Sequence, residues 1–254
     1  IGFSKIVLEE TVRKNLEDAL TKSNADLQQF AFIASHDLQE PLRTLSAMLS
    51  VFRSHLGEQV EREMDQILRF MTDALRRMSA LVTDLLDYSQ LGRQASKATS
   101  VQLDHDFEAA ISLLRSSIEL TGAVITHDSL PTVELDRNHM VRLFQNLLSN
   151  AIKFRKPLEP PTIHATAEQT GTEWTIRIAD NGIGFDPKYA EAIFSPFRRL
   201  HSAQEYPGSG IGLASCKRIV EDFGGRIGAQ SQPGQGSTFW FTIPINRVTD
   251  VPVR

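Results

Sequence analysis

A seven-residue repeat of apolar and small residues is the feature that most constrains how the first third of this chain can fold. Its positions alternate by four and three residues: Leu16, Leu20, Ser23, Leu27, Phe30 and Ala34. Such a repeat is typical of the a/d seam along which two helices coil around each other. A single amphipathic helix on a globular core is the alternative, since Ser23 and Ala34 are weak seam residues.

A second helix is predicted after the break at Leu56-Gly57-Glu58. Its apolar stripe is predicted to contain Ile67, Met71, Leu75, Met78, Val82, Leu85 and Ser89. Two long helices joined by a short loop form a helical hairpin. A lone hairpin would leave one apolar stripe exposed, and pairing two hairpins in a four-helix bundle would cover it. We therefore expect this region to form a homodimer.

The texture of the sequence changes after the small, polar linker Gly92–Ala98. Helices are predicted over 106–120, 137–154 and 210–223. Strands are predicted over 101–103, 123–127, 133–135, 162–168, 173–179, 225–230 and 238–243. Strands mixed with helices in this way indicate an α+β fold, an antiparallel or mixed sheet with helices on one face.

Composition excludes several classes of protein. With 27 Lys+Arg against 31 Asp+Glu, the net charge is −4, and no basic field is present to hold nucleic acid or an anionic membrane. The single cysteine, Cys216, cannot form an internal disulfide, which favours a buried residue in a reducing compartment, the cytoplasm. No apolar run approaches the roughly 20 residues of a membrane span. Because the chain begins with Ile1 rather than Met, we expect it to be part of a longer protein.

Two glycine-rich segments follow or precede predicted elements in the second region. Asp180–Gly184 directly follows a strand, where a carboxylate can accept from an exocyclic amine while glycines let a ring approach. Gly208–Leu213 opens a helix, and free N–H groups at a helix N-terminus favour phosphate. The polar segment before it does not resemble a strand, so a dinucleotide-binding βαβ unit is excluded.

Asn146, Asn150 and Lys153 lie at i, i+4 and i+7 of a predicted helix and therefore share one face. Helix interiors disfavour Asn, so two on one face beside a Lys suggest that the face meets a polar ligand. Amide oxygens suit a hard cation such as Mg²⁺, and an ammonium group suits phosphate. A solvated helix face is the alternative.

His36 and Asp37 stand about one helical turn before Pro41. Proline blocks a helical hydrogen bond and kinks the helix. If the seam passes through Ala34, His36 faces outward. An exposed His beside Asp usually has no function, so this pair gains weight only from the motifs around it.

Together these segments resemble the sensor histidine kinases of two-component signalling, over about residues 20–246. The matching segments are a phospho-acceptor box (36–42), an N box (146–154), a phenylalanine box (194–197) and three glycine boxes (180–184, 208–213 and 234–237). The form of the acceptor box and of the run 197–213 is similar to the kinase modules attached to phytochromes. The opening residues also resemble the last strand of a PAS domain.

The resemblance implies a domain order and a reaction. Residues 1–10 would end a PAS-like or photosensory sensor domain, 11–94 would form the dimerisation and histidine phosphotransfer domain, and 95–254 the catalytic ATP-binding domain, an α/β sandwich. His36 would accept the γ-phosphoryl group of ATP at Nε2, with Asp37 fixing its tautomer. The phosphoryl group would then pass to an aspartate in the receiver domain of a response regulator.

The resemblance also implies the residues that bind ATP and Mg²⁺. Asp180 would contact the adenine amine, and Asn150 would ligate Mg²⁺. The other implied ATP-binding residues are Asn146, Lys153, Gly182, Gly184, Phe197, Arg198, Arg199, Gly208, Gly210, Gly212, Leu213 and Ser237. Residues about 186–207 would form a mobile lid, anchored on apolar surface by Phe194 and Phe197.

Two positions depart from the family pattern. Glu40 stands where many members carry the Thr or Asn that assists dephosphorylation of the partner, and Gln39 replaces a common basic residue. These departures put phosphatase activity in doubt and leave kinase chemistry untouched. Two other functions stay open: an ATPase or conformational clamp of the same nucleotide-binding superfamily, and a catalytically silent dimeric scaffold. The ATPases place a Glu where this chain has Asn146, and an amide cannot act as a base.

Overall fold

The structure, a computed structural model, describes residues 42–50, 62–90, 99–135, 137–202, 205–206 and 208–245. The chain divides into two compact units between Gln90 and Leu91. The seven-residue repeat of 16–34, together with His36, Asp37 and Glu40, lies outside the described residues. The predictions made for them remain predictions.

The described part of the first unit is helical. Residues 42–50 (α1) and Arg62–Gln90 (α2) pack through Leu42, Leu75 and Val82, with Leu49 and Leu86 against them. Leu42 and Leu49 are seven residues apart, as are Leu75 and Val82, so one heptad position of each helix faces the other. This packing fits the predicted helical hairpin, whose connecting loop lies outside the described residues.

The predicted apolar stripe of α2 is buried along one side and exposed along the other. Leu75 and Val82 are buried with Leu68, whereas Ile67, Met71 and Met78 are 52%, 48% and 44% exposed. At 100° per residue, the exposed residues cluster on a face adjacent to the buried one. This partial exposure agrees with the expectation that a lone hairpin leaves part of its apolar surface uncovered, since the pair of helices within one chain covers only one side of the stripe.

The second unit is built on a mixed sheet of five strands in the order β2-β4-β5-β7-β6. Only β2 and β4 are parallel, and the other neighbours are antiparallel. A separate antiparallel pair joins β1 to β3. The strands are β1 Thr99–Gln102, β2 Val124–His127, β3 Thr132–Leu135, β4 Thr162–Thr170, β5 Glu173–Asp180, β6 Ile227–Gln232 and β7 Gly236–Pro244.

The helices of this unit are α3 Leu103–Leu113, α4 Arg115–Thr121, α5 Arg137–Lys153 and α6 Gly212–Asp222. Pro187–Tyr189 and Ala192–Phe194 are short 3₁₀ turns. The single helix predicted over 106–120 is broken at Leu114 into α3 and α4. Gly122, with φ 67°, ends α4 in the left-handed conformation that glycine adopts without strain.

One apolar core joins the helices to one face of the sheet. Ile163, Ile176 and Phe241 are fully buried on that face and belong to the same cluster as Phe107 of α3 and Phe144 of α5. The opposite face is more polar and carries the Arg177–Glu168 ion pair at 2.9 Å. This alternation matches a half-buried sheet, and it confirms the predicted α+β class. None of the described helices is long and apolar enough to span a membrane.

Candidate nucleotide-binding site

The predicted polar face of α5 forms as expected. Asn146, Asn150 and Lys153 all lie within the helix, Lys153 as its last residue, and each is half-buried. Half-burial is expected of side chains that line a concave surface, since a freely solvated face would be exposed. Leu143, Leu147 and Ile152 of the same helix point into the core.

Asp180 ends β5, and its carboxylate organises the loop that follows. Its Oδ1 accepts from the amides of Gly182 at 2.8 Å and Ser237 at 3.2 Å. Burial raises the pKa of the Asp180 carboxyl, and these two N–H donors oppose the increase. In the part of the chain that the structure describes, no hydrogen-bond partner is found for Oδ2 of Asp180. One oxygen therefore holds the loop and the other remains able to accept.

The glycines of this loop meet the protein's own backbone. A Cβ on Gly182 would lie 2.5 Å from the carbonyl oxygen of Phe154, and a Cβ on Gly184, which has φ +62°, would overlap the carbonyl oxygen of Gln232. The amide of Ile183 donates to the same Phe154 carbonyl at 2.9 Å. These glycines were predicted to let a ligand ring approach the backbone closely. In the structure, the groups that approach them are the carbonyls at the end of α5 and in β6.

The segment before α6 brings the other motifs together. A Cβ on Gly208 would lie 3.2 Å from Lys153 Nζ, one on Gly210 would lie 3.1 Å from Arg199 Cγ, and one on Gly212 would lie 3.4 Å from Asn146 Oδ1. Ser209 Oγ accepts from the Ile211 amide at 3.2 Å, and among the described residues no side chain caps the amides that follow it at the start of α6. Its first amides are available to an anion, which the helix dipole also favours.

The two phenylalanines of the 194–197 segment behave differently. Phe194 is buried in the core, whereas Phe197 is 58% exposed. The backbone of Phe197 has φ 61°, and its amide donates to the Gly210 carbonyl at 3.0 Å. The prediction that Phe197 anchors this segment on apolar surface is wrong: its backbone holds the glycine segment while its ring faces outward.

Lys153 and Arg199 form a pair of like charges beside Gly208 and Gly210. Burial lowers the pKa of the Lys153 ammonium, and the nearby Arg199 guanidinium lowers it further. Neither cation has a carboxylate partner among the residues that the structure describes. Two neighbouring cations of this kind attract a polyanion, since its charge would relieve their repulsion.

The remaining predicted residues surround this centre less closely. Ser237 donates its amide to Asp180, and its hydroxyl lies 3.1 Å from Ser231 Oγ. Leu213 is half-buried in the first turn of α6, and Arg198 is exposed. The structure adds Phe154, His201 and Tyr206, whose rings contact one another beside Lys153. All three lie in segments that resemble family motifs, but nothing in the sequence predicts that their rings meet, because Phe154 is about fifty positions from the other two.

The donor set decides what kind of Mg²⁺ site these residues could form. The described residues hold no group of three or more His, Cys, Asp or Glu suited to a metal ion. Asn150 can supply one amide oxygen on the α5 face. Mg²⁺ commonly keeps several waters and binds through few protein ligands plus substrate phosphates. The residues present fit that arrangement and do not form an all-protein cage.

Cys216 lies directly behind this site, and its reactivity can be predicted. Its side chain is fully buried, with Sγ 4.0 Å from the Leu143 carbonyl oxygen. Burial raises the pKa of the Cys216 thiol to about 12, although Arg142 and the Asn146 amide oppose the increase. Only the thiolate reacts, so iodoacetamide at pH 8 is expected to leave the folded protein unmodified and to label it in denaturant. Intact-mass measurement checks this, and rapid labelling of the folded protein would contradict the packing of α6 on α5.

Comparisons with known proteins agree with this geometry. Residues 26–94 match the "His Kinase A (phospho-acceptor) domain", and residues 135–247 match the "Histidine kinase-, DNA gyrase B-, and HSP90-like ATPase" family. Cyanobacterial phytochrome A of Nostoc sp. is 43% identical over 226 residues, which cover 89% of this chain and 29% of the relative. Phytochrome-like protein Cph1 of Synechocystis sp. is 39% identical, with 89% and 30% covered. The chain thus spans about three tenths of the length of these relatives.

Solved structures show the same architecture. Full-length ShkA in complex with AMPPNP has a TM-score of 0.66 at 24% identity, covering 85% of this chain and 45% of that one, which shows the fold. The nucleotide-free catalytic domain of histidine kinase ThkA has a TM-score of 0.51 at 27% identity, covering 58% of this chain and 95% of that one. With a phospho-acceptor domain followed by an ATPase domain of this type, the chain belongs to the sensor histidine kinases.

Proposed function

We propose that this chain binds ATP with Mg²⁺, transfers the γ-phosphoryl group to its own His36, and passes it to an aspartate in the receiver domain of a response regulator. The observation that carries the proposal is the convergence of Lys153, Arg199 and the uncapped start of α6 on one glycine segment. That arrangement suits a polyphosphate, because two cations and free backbone N–H groups face the same space.

The base of the nucleotide is assigned to Asp180. Its Oδ1 is occupied by two backbone donors, and its Oδ2 is left to accept from an exocyclic amine. Adenine offers such an amine, whereas guanine has a carbonyl at that place. The fixed orientation of the carboxylate supports discrimination, since a second acceptor facing it would be repelled.

The phosphates are assigned to the residues at the other end of the site. Lys153 and Arg199 would neutralise the phosphate charge, with Arg198 available at the surface, and the α6 amides would hold the oxygens. Asn150, with Asn146 one turn before it, would hold Mg²⁺ against the phosphates. Bound Mg²⁺ would supply charge neutralisation at the oxygens of the transferred group.

Phosphoryl transfer of this kind depends mainly on positioning and on charge stabilisation. The neutral His36 imidazole attacks phosphorus with Nε2, the bond from phosphorus to the bridging oxygen breaks, and ADP leaves. Asp37 accepts the Nδ1–H, which fixes the tautomer and stabilises the cation that develops. These two roles rest on the sequence, since both residues lie outside the described part.

The partners proposed are a second copy of this chain, a receiver domain and an upstream sensor. The exposed Ile67, Met71 and Met78 of α2 support pairing of two hairpins, because an apolar stripe of this kind is costly to leave in water. The phytochrome relatives support a PAS-like or photosensory domain preceding residue 11. A cytoplasmic location is proposed from the single, unpaired Cys216.

Incubation of the chain with ATP and Mg²⁺ tests the proposal and separates the three functions left open by the sequence. A histidine kinase yields label on the protein, an ATPase or clamp yields released phosphate with an unlabelled chain, and a silent scaffold yields neither. We expect labelled protein with little released phosphate. Release without labelling would overturn the proposal.

Glu40 leads to a prediction about the reverse reaction. It follows His36 by four residues and would share its face of the predicted helix, where its charge would oppose the anionic acyl phosphate of a phosphorylated receiver. We expect the chain to accelerate decay of its phospho-regulator less than twofold, and Glu40→Thr to increase that decay. Glu40→Gln is the matched control that removes only charge. Marked acceleration by the unsubstituted chain would show this interpretation to be wrong.

A further inference from the structure

Three aromatic rings meet beside the cation pair, and none of them has been given a role so far. The ring centroid of Phe154, the residue after α5, lies 4.9 Å from that of Tyr206 and 5.9 Å from that of His201. The His201 and Tyr206 rings are themselves 5.1 Å apart. Tilted ring contacts at these distances are favourable beyond the area they bury. We call Phe154, His201 and Tyr206 the ring cluster.

The backbone around Tyr206 is fixed by more than its ring. The Tyr206 amide donates to the Ser202 carbonyl at 3.1 Å, and the Glu205 amide donates to Ser202 Oγ at 3.3 Å. These bonds form a local turn with one ring at each side of it. Because both rings rest on Phe154, the turn is tied to the end of α5.

The turn in turn holds Arg199. Its Nη2 donates to the Tyr206 carbonyl at 3.2 Å, and its Cγ packs against Gly210. Lys153 also contacts the ring cluster, because its Nζ lies 4.3 Å from the Phe154 ring centroid, a cation–π distance. Both cations are therefore connected through the ring cluster, Arg199 by way of Tyr206 and Lys153 by way of Phe154.

We propose that Tyr206 is a positioning residue whose ring, packed on Phe154 and His201, holds Arg199 next to Lys153 so that the cation pair is assembled before a nucleotide binds. The inference rests on the proposed function and deepens it. It assigns the preference for a nucleoside triphosphate over a diphosphate to the Tyr206 ring, which need not contact the nucleotide. Without the ring cluster, like-charge repulsion would drive Arg199 away from Lys153. The triphosphate carries more negative charge and depends more on the pair.

The test compares Tyr206→Leu, which removes the ring, with Tyr206→Phe, which keeps the ring and loses the hydroxyl. Calorimetry on the full chain with Mg²⁺ gives the dissociation constants for ATP and ADP, and thermal melting checks folding. We expect Tyr206→Leu to weaken ATP binding about fivefold to tenfold and ADP binding less than twofold, in a chain that melts well above the temperature of the binding measurement. Tyr206→Phe should bind ATP and ADP with the same dissociation constants as the unsubstituted chain.

Three results would overturn the inference. Equal weakening of ATP and ADP would make the ring a general packing element, an unchanged ATP affinity would remove its role, and failure of Tyr206→Phe to restore binding would assign the effect to the hydroxyl. If the unsubstituted chain bound neither nucleotide, the proposed function itself would fail, and the inference with it. Failure of the inference and failure of the proposed function therefore give different binding results.

Discussion

Replacing His36 with Gln is expected to abolish incorporation of phosphate from ATP while changing ATP affinity less than twofold. Gln keeps the size and polarity of the side chain and lacks the basic nitrogen that must attack phosphorus. The residues proposed to bind ATP all lie after residue 145, in the second unit, so the acceptor and the nucleotide site can be separated by substitution. Label incorporation and calorimetry on the same preparation measure the two effects.

His164→Gln is the matched control for this loss. The His164 ring lies on β4, where Nδ1 is 2.8 Å from Thr126 Oγ1 and Nε2 is 3.6 Å from Asp128 Oδ1, and it is given no part in the reaction. This variant should be labelled like the unsubstituted chain. Persistent labelling of His36→Gln would place the acceptor elsewhere and would contradict the assignment.

Asp180→Asn should weaken ATP binding by about tenfold or more. A hydrogen bond to a charged group is typically worth about 1.5–3 kcal/mol, and about 1.4 kcal/mol is a factor of ten in affinity. The Asn side chain would also turn its N–H₂ group towards the adenine amine, and two hydrogen-bond donors repel each other. The native chain should bind GTP far more weakly than ATP, and comparable affinities for the two would remove Asp180 from this role.

Asp186→Asn serves as the control, because Asp186 is a carboxylate of the same region that pairs with Lys188 at 2.8 Å and has no assigned ligand. It should leave both nucleotide affinities unchanged. A similar loss in both variants would indicate a general effect of negative charge on this part of the protein and would contradict a specific contact with adenine.

Asp180→Asn should weaken nucleotide binding without lowering the stability of the folded chain at pH 7. Burial raises the pKa of Asp180, so the folded state binds this proton more tightly than the unfolded chain does. The free energy of unfolding therefore falls as the pH increases from about 4, the ordinary carboxyl pKa, to the raised value. Asn can still accept from Gly182 and Ser237, so Asp180→Asn should lose this decrease and melt no lower at pH 7. A markedly lower melting temperature would show that the charge itself stabilises the loop.

Local patterns predicted much of the site because its parts are each set by neighbours in sequence. The i, i+4, i+7 spacing was enough to place Asn146, Asn150 and Lys153 on one face of α5. Gly122 and the turn at Gly171 likewise ended elements where expected, since positive φ at glycine is a local property. Helix and strand order, and with them the α+β class, follow from such local signals.

What the sequence did not predict depends on contacts between distant residues. The break at Leu114 has no Pro or Gly to mark it, and Leu114 is buried in the shared core, so packing sets the direction of α4. The resemblance implied that Phe197 anchors its segment on apolar surface, yet its side chain is 58% exposed and its backbone has a positive φ. The ring cluster joins the end of α5 to a turn before α6, and only the folded chain shows that these segments meet.

Site mapping of the phosphorylated chain is the most direct test of phosphoryl transfer to His36. The unsubstituted protein would be incubated with ATP and Mg²⁺, digested at alkaline pH to preserve a phosphoramidate, and analysed by tandem mass spectrometry alongside an acid-treated sample. We expect one phosphorylated residue, His36, with the modification stable in alkali and lost in acid. Phosphate on any other residue, or a modification that survives acid, would contradict it.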